Sequence, residues 1–364
     1  MRFTIPREIL LKPLQSVANV VEKRNTIPVI GNVLVSATES ELSLTATDLE
    51  IELVSRVPLI SGKPGRTTLP AKKLLDICKT LPEKVDIDFI LDKDRCILKA
   101  GKSKFVLATR PADEFPNIEK IHEGKSLTLS QGSFKRLFQK THFSMSSSDI
   151  RYILMGALLD VSPGRVKVCA TDGHRLAVCE TAVETQISTQ VVVPRKGVSE
   201  LMRLLQDSKN PLEVIVGTNH IQVILPEVTF TSKLIDGKFP EYQYIIPQQS
   251  SKVLLAQRDD LRRALQRVSI LSNEKTRGVR FLLDKTSLRI LSINPDKETA
   301  EEEIDAEYEG EPIDIGFNVG YLLDVLGVID DDRVKIGMTA AENSVLLQNA
   351  GTTVCQYVVM PIRV

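Results

Sequence analysis

The chain has 364 residues, of which 42% are hydrophobic and 26% charged, and its 47 Lys and Arg residues balance its 47 Asp and Glu residues. This length predicts two or three domains, and the ordinary composition excludes an intrinsically disordered protein. No stretch approaches the roughly 18 apolar residues of a membrane span, so we expect a cytoplasmic protein with no membrane partner.

Cysteine usage gives a further exclusion. The five cysteines are odd in number and contain no Cys-x-x-Cys pair, which argues against a disulfide framework and against a zinc site. We expect them to be reduced and buried. They are Cys78, Cys96, Cys169, Cys179 and Cys355.

The first predicted element is a helix from Arg7 to Arg24, and comparable helices are predicted from Gln131 to Met145 and from Arg258 to Leu271. In the last of these, apolar residues recur at helical spacing on one face, with Arg263 and Arg267 opposite them. Short β-rich runs between the helices, such as LSLTATDLEIELVSRV, predict antiparallel strands joined by tight turns.

An extended entry followed by an amphipathic helix occurs three times. The aligned residues Pro70, Pro194 and Asn318 are 124 residues apart in both steps, which indicates an internal repeat. We therefore predict three α+β domains of similar structure, formed by residues 1–125, 126–252 and 253–364. The three matching segments are TLPAKKLLDICKTLP, VVPRKGVSELMRLLQ and GFNVGYLLDVLGVID.

The predicted helices are basic although the whole chain is neutral. Taken as residues 7–24, 71–80, 131–145, 195–209, 258–271 and 318–329, they contain 18 Lys and Arg against 8 Asp and Glu, so the rest of the chain must be acidic. Glu forms helices as well as Lys and Arg do, so helix propensity does not explain the bias. A basic layer in a neutral protein indicates a polyanion on one surface.

The segment ATDGHRLAV raises the question of a catalytic Asp172–His174 pair. Asp48 in TATDLE lies 124 residues before Asp172, and both follow one strand run and precede another. This recurrence predicts a turn role for the aspartate. His174 has no counterpart in the other repeats, and no partner motif for a nucleophile is present.

Two other motifs have structural explanations. Gly101-Lys102-Ser103 lacks the first glycine of a phosphate-binding loop, since Cys96 stands there, and its surroundings predict a hairpin turn. The histidines His122, His142 and His220 lack the spacing of metal ligands, so we expect no metal and no cofactor.

Seven segments in chain order resemble the family of the bacterial DNA polymerase III β subunit, the sliding clamps. The resemblance implies three similar domains per chain, with helices lining the inside and antiparallel sheets outside, and two chains closing a ring around duplex DNA. It also implies no catalytic activity. The segments are TATDLE, FSMSSSDIRY, ATDGHRLAV, VPRKGVSELMRLL, TSKLIDGKFPEY, ILSNEKTRGVR and YVVMPIRV.

The resemblance implies sequence-independent contacts with DNA phosphates. One departure from the family is that Ile153 follows Tyr152 where relatives often have a second tyrosine, and Ser148 replaces a longer polar side chain, so stacking from position 153 is not expected. The implied DNA-contacting residues are Arg24, Lys72, Tyr152, Arg195, Arg203 and Lys238.

The resemblance also implies a dimer interface between the first domain of one chain and the third domain of the other. Phe105 and Leu107 would pack against Ile270 and Leu271. The basic residues Lys73, Arg95, Lys102 and Lys104 would face the acidic residues Glu301, Glu302 and Glu303.

A third implied site is a hydrophobic pocket for short peptides of the replicative polymerase, the clamp loader, and repair and translesion polymerases. Apolar walls with a methionine and a few polar atoms are typical of such a pocket. Its residues are Leu154, Thr171, Gly173, His174, Arg175, Leu176, Pro240, Ile245, Ser344, Val358 and Met360.

Two alternatives stay open at this point. One is a hydrolase that uses Asp172 and His174, and the other is a repeat scaffold that binds proteins without enclosing DNA. The three hypotheses differ in whether a chemical step depends on His174 and in whether binding to circular DNA resists salt.

Overall fold

The structure is a computed structural model that describes residues 1–21, 27–118, 121 and 123–363. The chain forms two compact units, one from Met1–Gly132 and Ser199–Leu234 and the other from Ser133–Val198 and Ile235–Val364. Within the described residues the strands of every ladder are antiparallel, as predicted.

Six α-helices occur in the described part of the chain, two for each predicted repeat. Helices α2, α4 and α6 begin 124 residues apart, which is the spacing of the repeat. The helices are α1 (Arg7–Ala18), α2 (Ala71–Thr80), α3 (Gln131–Gln139), α4 (Arg195–Leu204), α5 (Arg258–Val268) and α6 (Val319–Leu326).

Some helices are shorter than predicted. Helix α1 ends at Ala18, and residues 22–24 of the predicted helix lie outside the described part of the chain. Helix α3 ends at Gln139, where the Thr141 hydroxyl donates to the Leu137 carbonyl and the chain continues as a 3-10 turn over His142–Ser144. Apolar periodicity alone did not show where the α-helix changes to a 3-10 turn, because buried residues continue at similar spacing through the turn.

The first unit contains a five-stranded and an eight-stranded sheet. In spatial order, the five strands are β5 (Gly62–Lys63), β1 (Arg2–Pro6), β7 (Asp86–Asp92), β8 (Arg95–Ala100) and β9 (Ser103–Ala108). The eight strands are β10 (Lys125–Ser130), β15 (Pro211–Val216), β16 (His220–Ile224), β17 (Val228–Lys233), β4 (Ile51–Pro58), β3 (Glu41–Thr47), β2 (Asn32–Ala37) and β6 (Gly65–Pro70).

The second unit contains a nine-stranded and a four-stranded sheet. The nine strands are β14 (Thr189–Pro194), β11 (Gly156–Ser162), β12 (Arg165–Thr171), β13 (Arg175–Ala182), β26 (Cys355–Val359), β25 (Val345–Asn349), β24 (Arg333–Met338), β18 (Lys252–Gln257) and β22 (Glu307–Glu309). The four strands are β21 (Thr299–Asp305), β20 (Ser287–Ile293), β19 (Gly278–Leu283) and β23 (Ile313–Asn318).

In each large sheet, one pairing joins a strand of one predicted repeat to a strand of the next repeat, and we call this pairing a junction. In the first unit β17 pairs with β4 and places Thr229 opposite Val54. In the second unit β26 pairs with β13 and places Gln356 opposite Val178. Val54 and Val178 are 124 residues apart, so the two junctions have the same register.

The predicted hairpin at Gly101-Lys102-Ser103 is confirmed. Strands β8 and β9 are joined there, with Ala100 opposite Ser103 in the ladder. Gly101 adopts a φ of +56°, a left-handed conformation that glycine accepts readily and that hairpin turns require. The segment is therefore a strand connection and does not lead into a helix as a phosphate-binding loop does.

The prediction that all five cysteines are reduced is wrong for one pair. Cys179 and Cys355 lie opposite each other in the β13–β26 junction and form a disulfide, with their Cα atoms 4.2 Å apart. The sequence does not reveal this pair because it does not show which strands become neighbours. The other cysteines, Cys78, Cys96 and Cys169, are free thiols and are buried as expected.

Candidate functional site

The residues predicted for the peptide pocket all lie in the second unit. Leu154, Leu176 and Val358 are at most 2% exposed and belong to one apolar cluster, against which the half-buried Ile245 packs. Met360 follows β26, and its backbone N–H donates to the His174 carbonyl at 2.9 Å. The fold therefore brings β13, β26 and the turn that contains Leu154 together.

The remaining pocket residues lie beside this cluster. Pro240 is exposed and follows the buried Phe239, which is itself a cluster member. Ser344 is half-buried and immediately precedes β25. The arrangement combines a buried apolar wall with accessible polar positions, as expected of a site for an apolar peptide.

The turn before β13 is built from its own side chains. The Thr171 hydroxyl donates to the Arg175 carbonyl at 2.7 Å and accepts from the Gly173 N–H at 3.1 Å. Asp172 Oδ1 accepts from the N–H groups of His174 and Arg175 at 2.9 and 3.0 Å. These bonds fix the backbone, so the side chain of His174 is presented on the surface.

The same turn occurs in the first unit, which confirms the predicted structural role of the aspartate. Asp48 Oδ1 accepts from the N–H groups of Glu50 and Ile51 at 2.9 and 2.7 Å. The Thr47 hydroxyl also donates to the Ile51 carbonyl, as Thr171 does in the second unit. Because the aspartate carboxylate accepts equivalent backbone hydrogen bonds in both units, its role in the motif is to fold the turn and not to catalyse a reaction.

Gly173 occupies a position that favours glycine. Its φ of +88° is left-handed, and a Cβ there would lie 3.0 Å from an Arg151 guanidinium nitrogen. Arg151 forms a two-bond ion pair with Asp149, and these hydrogen bonds lower the pKa of the Asp149 carboxyl to about 2. The pair therefore stays ionised at neutral pH and forms a charged rim beside the turn.

The Arg175 guanidinium is held by Asp172 of the same turn and by three residues that the sequence does not mark as its neighbours. Its Nε donates to Asp172 at 3.0 Å, its Nη2 donates to the Phe143 carbonyl at 2.7 Å, and its Nη1 donates to Asp324. The guanidinium carbon lies 4.6 Å from the centroid of the Tyr321 ring. Since only 12% of the side chain is exposed, Arg175 acts as a positioning residue for the turn.

We expect Arg175→Ala to lower the stability of the second unit by about 2 kcal/mol, because three charge-assisted hydrogen bonds lose their donor and the mostly buried Asp172 loses its ion-pair partner. Denaturant unfolding measures this change. Arg165→Ala is the matched control, since exposed Arg165 makes a single bond to the Ser162 hydroxyl. Equal unfolding midpoints for the two variants would contradict a positioning role.

The residues predicted to contact DNA are distributed over both units. In the first unit, Lys72 is exposed on α2, and Arg203 of α4 pairs with Glu200 and donates to the Ser16 carbonyl. In the second unit, Tyr152 is 74% exposed and Lys238 pairs with Glu241 at 2.8 Å. Arg195 is exposed at the start of α4 and donates to the Met145 carbonyl.

Among the positions considered for DNA contact, Arg24 lies outside the described residues. Ile153 packs against the apolar cluster of the pocket, so position 153 contributes to packing and has no aromatic ring for stacking. Ser148, the other departure from the family pattern, is exposed.

The residues predicted for a dimer interface lie at two sheet edges and on nearby helices. In the first unit, β9 carries Lys104, Phe105 and Leu107, of which Lys104 is exposed and Phe105 half-buried. Lys73 of α2, Arg95 of β8 and Lys102 of the hairpin turn are also exposed.

In the second unit the predicted interface residues flank the edge strand β21. Ile270, in the 3-10 turn after α5, is 76% exposed, and Leu271 is half-buried. Glu301 and Glu302 of β21 pair with Arg289 and Arg267 of the same chain. Glu303 follows them on the same strand and is exposed.

Within the residues that the structure describes, no three His, Cys, Asp or Glu side chains are grouped as metal ligands would be. Of the predicted histidines, His122 lies outside those residues. Among the described helices, none has the length and apolar character that crossing a membrane requires.

Comparison with known proteins shows the same three-part organisation. Residues 1–119, 128–241 and 243–363 match the N-terminal, central and C-terminal domain families of the DNA polymerase III beta subunit. The chain is 48% identical over 366 aligned positions to the beta sliding clamp of Pseudomonas putida, and the alignment covers 100% of both chains. It is 45% identical to the beta sliding clamp of Escherichia coli, also with complete coverage.

Solved structures agree with these sequence matches. A crystal structure of the DNA polymerase III subunit beta from Pseudomonas aeruginosa superposes with a TM-score of 0.98 at 46% identity and covers 100% of both chains. A clamp from the same species bound to griselimycin gives a TM-score of 0.97 at 47% identity, again with complete coverage. The chain belongs to the DNA polymerase III beta subunit family, the bacterial beta sliding clamps.

Proposed function

We propose that this chain is a DNA sliding clamp and processivity factor, in which two copies form a head-to-tail ring around duplex DNA and tether the replicative polymerase. The observation that carries this proposal is the full-length match to beta sliding clamps across all three domain types. The chain is a non-catalytic accessory subunit. Its partners are DNA, a second copy, the clamp loader, and replicative, repair and translesion polymerases, and its proposed location is the cytoplasm, where bacterial DNA lies.

The DNA-facing surface is proposed to be formed by the helices. In their observed bounds they carry 14 Lys and Arg against six Asp and Glu, so the predicted excess of positive charge remains. Lys and Arg contacts to phosphates carry no sequence information and permit movement along the duplex. The proposed contacts are Arg24, Lys72, Tyr152, Arg195, Arg203 and Lys238.

Two of the proposed DNA contacts are paired with glutamates in the free chain. The Lys238–Glu241 pair is exposed, with 82% of the lysine side chain accessible, and Arg203 is 37% exposed in its pair with Glu200. A fully exposed ion pair is weak because water screens it, so a DNA phosphate can replace Glu241 at small cost. Glu200 is only 13% exposed and therefore holds Arg203 more firmly.

The two junctions inside the chain support a specific way of joining two copies. Strand β9 occupies the position in its sheet that β17 and β26 occupy in theirs, and β21 corresponds to β4 and β13. Both β9 and β21 are edge strands within the described part of the chain. We propose that β9 of one chain pairs with β21 of the other, so that a ring contains this third junction twice.

The register of the proposed junction follows from the ladders within each sheet. Lys104 of β9 aligns with Gln356 of β26, and Glu301 of β21 aligns with Val178 of β13. Because Gln356 lies opposite Val178 in the existing junction, Lys104 of one chain is proposed to lie opposite Glu301 of the other. The remaining basic residues Lys73, Arg95 and Lys102 then face the acidic strand with Glu302 and Glu303, which favours this register.

The apolar part of the proposed interface follows by the same alignment. Phe105 aligns with Tyr357, and Ile270 aligns with Phe143, since each is the thirteenth residue counted from the start of its helix. The rings of Phe143 and Tyr357 have centroids 6.1 Å apart. We therefore propose that Ile270 of one chain covers Phe105 of the other, with Leu107 and Leu271 beside them.

The pocket in the second unit is proposed to bind short peptides with apolar anchors. Its buried wall of Leu154, Leu176 and Val358 offers apolar surface, and half-buried Met360 can adapt to different side chains. The griselimycin-bound relative, 47% identical to this chain, supports the capacity of a clamp with this fold to hold a ligand.

The topological test uses a nicked circular plasmid, a clamp loader and ATP. We expect the loaded protein to remain on the circle at about 1 M salt and to be lost when the circle is cut, because a closed ring is held by topology. Ordinary phosphate binding instead weakens steeply with salt. Gel filtration of labelled protein with the plasmid measures retention. Release of the protein from the uncut circle at high salt would refute the proposal and favour a repeat scaffold.

A further inference from the structure

We propose that Cys179 and Cys355 form a redox-controlled covalent clip across the β13–β26 junction, closed by a low-molecular-weight disulfide and opened by a dithiol reductant. This inference depends on the fold of the second unit and goes beyond the proposed function. Residues 179 and 355 are 176 positions apart, so the bond joins two distant parts of the chain.

The geometry of the junction favours this bond. The N–H of Glu180 donates to the Val354 carbonyl at 3.1 Å, which makes the neighbouring pair, Cys179 and Cys355, a non-hydrogen-bonded pair of the ladder. Side chains approach each other most closely at such positions, and the two Cα atoms are 4.2 Å apart. The ladder therefore holds the two cysteine side chains beside each other in the closed junction.

The other three thiols are poorly placed to form a disulfide with Cys179 or Cys355. Cys169 lies opposite Val178 in the β12–β13 ladder, so its side chain shares the face of Val178 and points away from Cys179. Cys78 of α2 and Cys96 of β8 belong to the first unit, and neither lies on β13 or β26.

The chemistry is a thiol–disulfide exchange that balances without other reactants. The thiolate of one cysteine attacks a sulfur of the small disulfide and releases one small thiolate, and the second cysteine then displaces the other. Two protein thiols are oxidised, one small disulfide is reduced to two thiols, and the two protons end on those products. Both cysteines are at most 1% exposed, so exchange requires transient opening of this end of the junction.

The other end of the same ladder borders the pocket. Arg175 pairs with Val359 and Leu176 with Val358, four and three residues along β13 from the disulfide. A covalent bond at one end of a five-residue ladder opposes its separation at the other. The clip would therefore hold together the two strands that form the apolar wall.

The test uses the full chain equilibrated with either oxidised glutathione or dithiothreitol, then alkylated in denaturant and weighed. We expect five alkylated thiols after reduction and three after oxidation, because the sequence has five cysteines and the clip consumes two. We also expect oxidation to raise the midpoint of guanidinium chloride unfolding of the second unit by roughly 0.5 to 1 M, since the closed loop is long. Five alkylated thiols after oxidation, or midpoints that do not differ, would overturn the proposal.

Two variants separate the clip from general effects of mutation. Cys179→Ser should leave four alkylated thiols in both redox states and make the midpoint independent of the reductant. Ser55 and Val228 hold the same register position in the β17–β4 junction, where the Arg56 N–H donates to the Glu227 carbonyl. Ser55→Cys with Val228→Cys, added to Cys179→Ser, should restore a redox-dependent midpoint in the first unit, and its failure to form a bond would contradict the geometric argument.

Discussion

The double substitution Ile270→Ala and Leu271→Ala is expected to convert the dimer into monomers. Ile270 is 76% exposed in the isolated chain, so the exposed apolar surface of its side chain is buried only when the second copy is present. Burying side chains of this type contributes about 1.5 to 3 kcal/mol each, so the loss exceeds a hundredfold in the dissociation constant of each interface. A closed ring contains two such interfaces, and both are weakened together.

Sedimentation velocity over a range of concentrations measures this change. Ile60→Ala is the matched control, because Ile60 is 99% exposed in the loop between β4 and β5 and belongs to neither β9 nor β21. The control is expected to remain dimeric. Dimers of the double variant at the same concentration as the control would remove Ile270 and Leu271 from the interface.

Met360→Ala combined with removal of residues 361–364 is expected to weaken binding of a peptide with Leu and Phe anchors by roughly 10- to 100-fold. The loss of one adaptable apolar wall corresponds to about 1.5 to 3 kcal/mol of buried surface. The truncation also removes the Ile362 N–H that donates to the Gly316 carbonyl and fixes the terminal segment. DNA encirclement is expected to survive, because neither change touches β9, β21 or the helices.

Fluorescence anisotropy with the labelled peptide measures affinity, and retention on the nicked circle measures encirclement in the same preparation. Val354→Ala serves as the control, since Val354 is 40% exposed and precedes β26 at the end remote from the pocket. An unchanged peptide affinity in the truncated variant would place the binding site elsewhere. Loss of encirclement would show that the C-terminal segment also supports the ring.

Much of the fold could be predicted because the sequence repeats itself. The 124-residue spacing of Pro70, Pro194 and Asn318 predicted the starts of α2, α4 and α6, each of which begins at the next residue. The aspartate turn was predictable for the same reason, since Asp48 and Asp172 stand in equivalent places. The proposed domain limits at residues 125 and 252 remain a prediction.

The long-range strand pairings could not be predicted from periodicity. The continuous apolar run from Leu176 to Cys179 is typical of a strand buried on both faces, but it does not show that β26 is the neighbour. For that reason the disulfide and the contacts of Arg175 with Asp324 and Tyr321 were missed. The peptide pocket was assigned by family resemblance, because its buried residues alone are indistinguishable from ordinary core.

The charges on the edge strands β9 and β21 also determine which edge-to-edge pairings between chains are unfavourable. Unpaired sheet edges invite pairing with any other edge, including an identical one. Pairing two β9 edges would bring the positive charges of Lys102 and Lys104 from both chains together, and pairing two β21 edges would do the same with the negative charges of Glu301 and Glu303, which disfavours like-with-like association. Unlike edges attract, so the proposed β9–β21 pairing would protect a lone subunit against disordered aggregation and would set a single polarity for the finished ring.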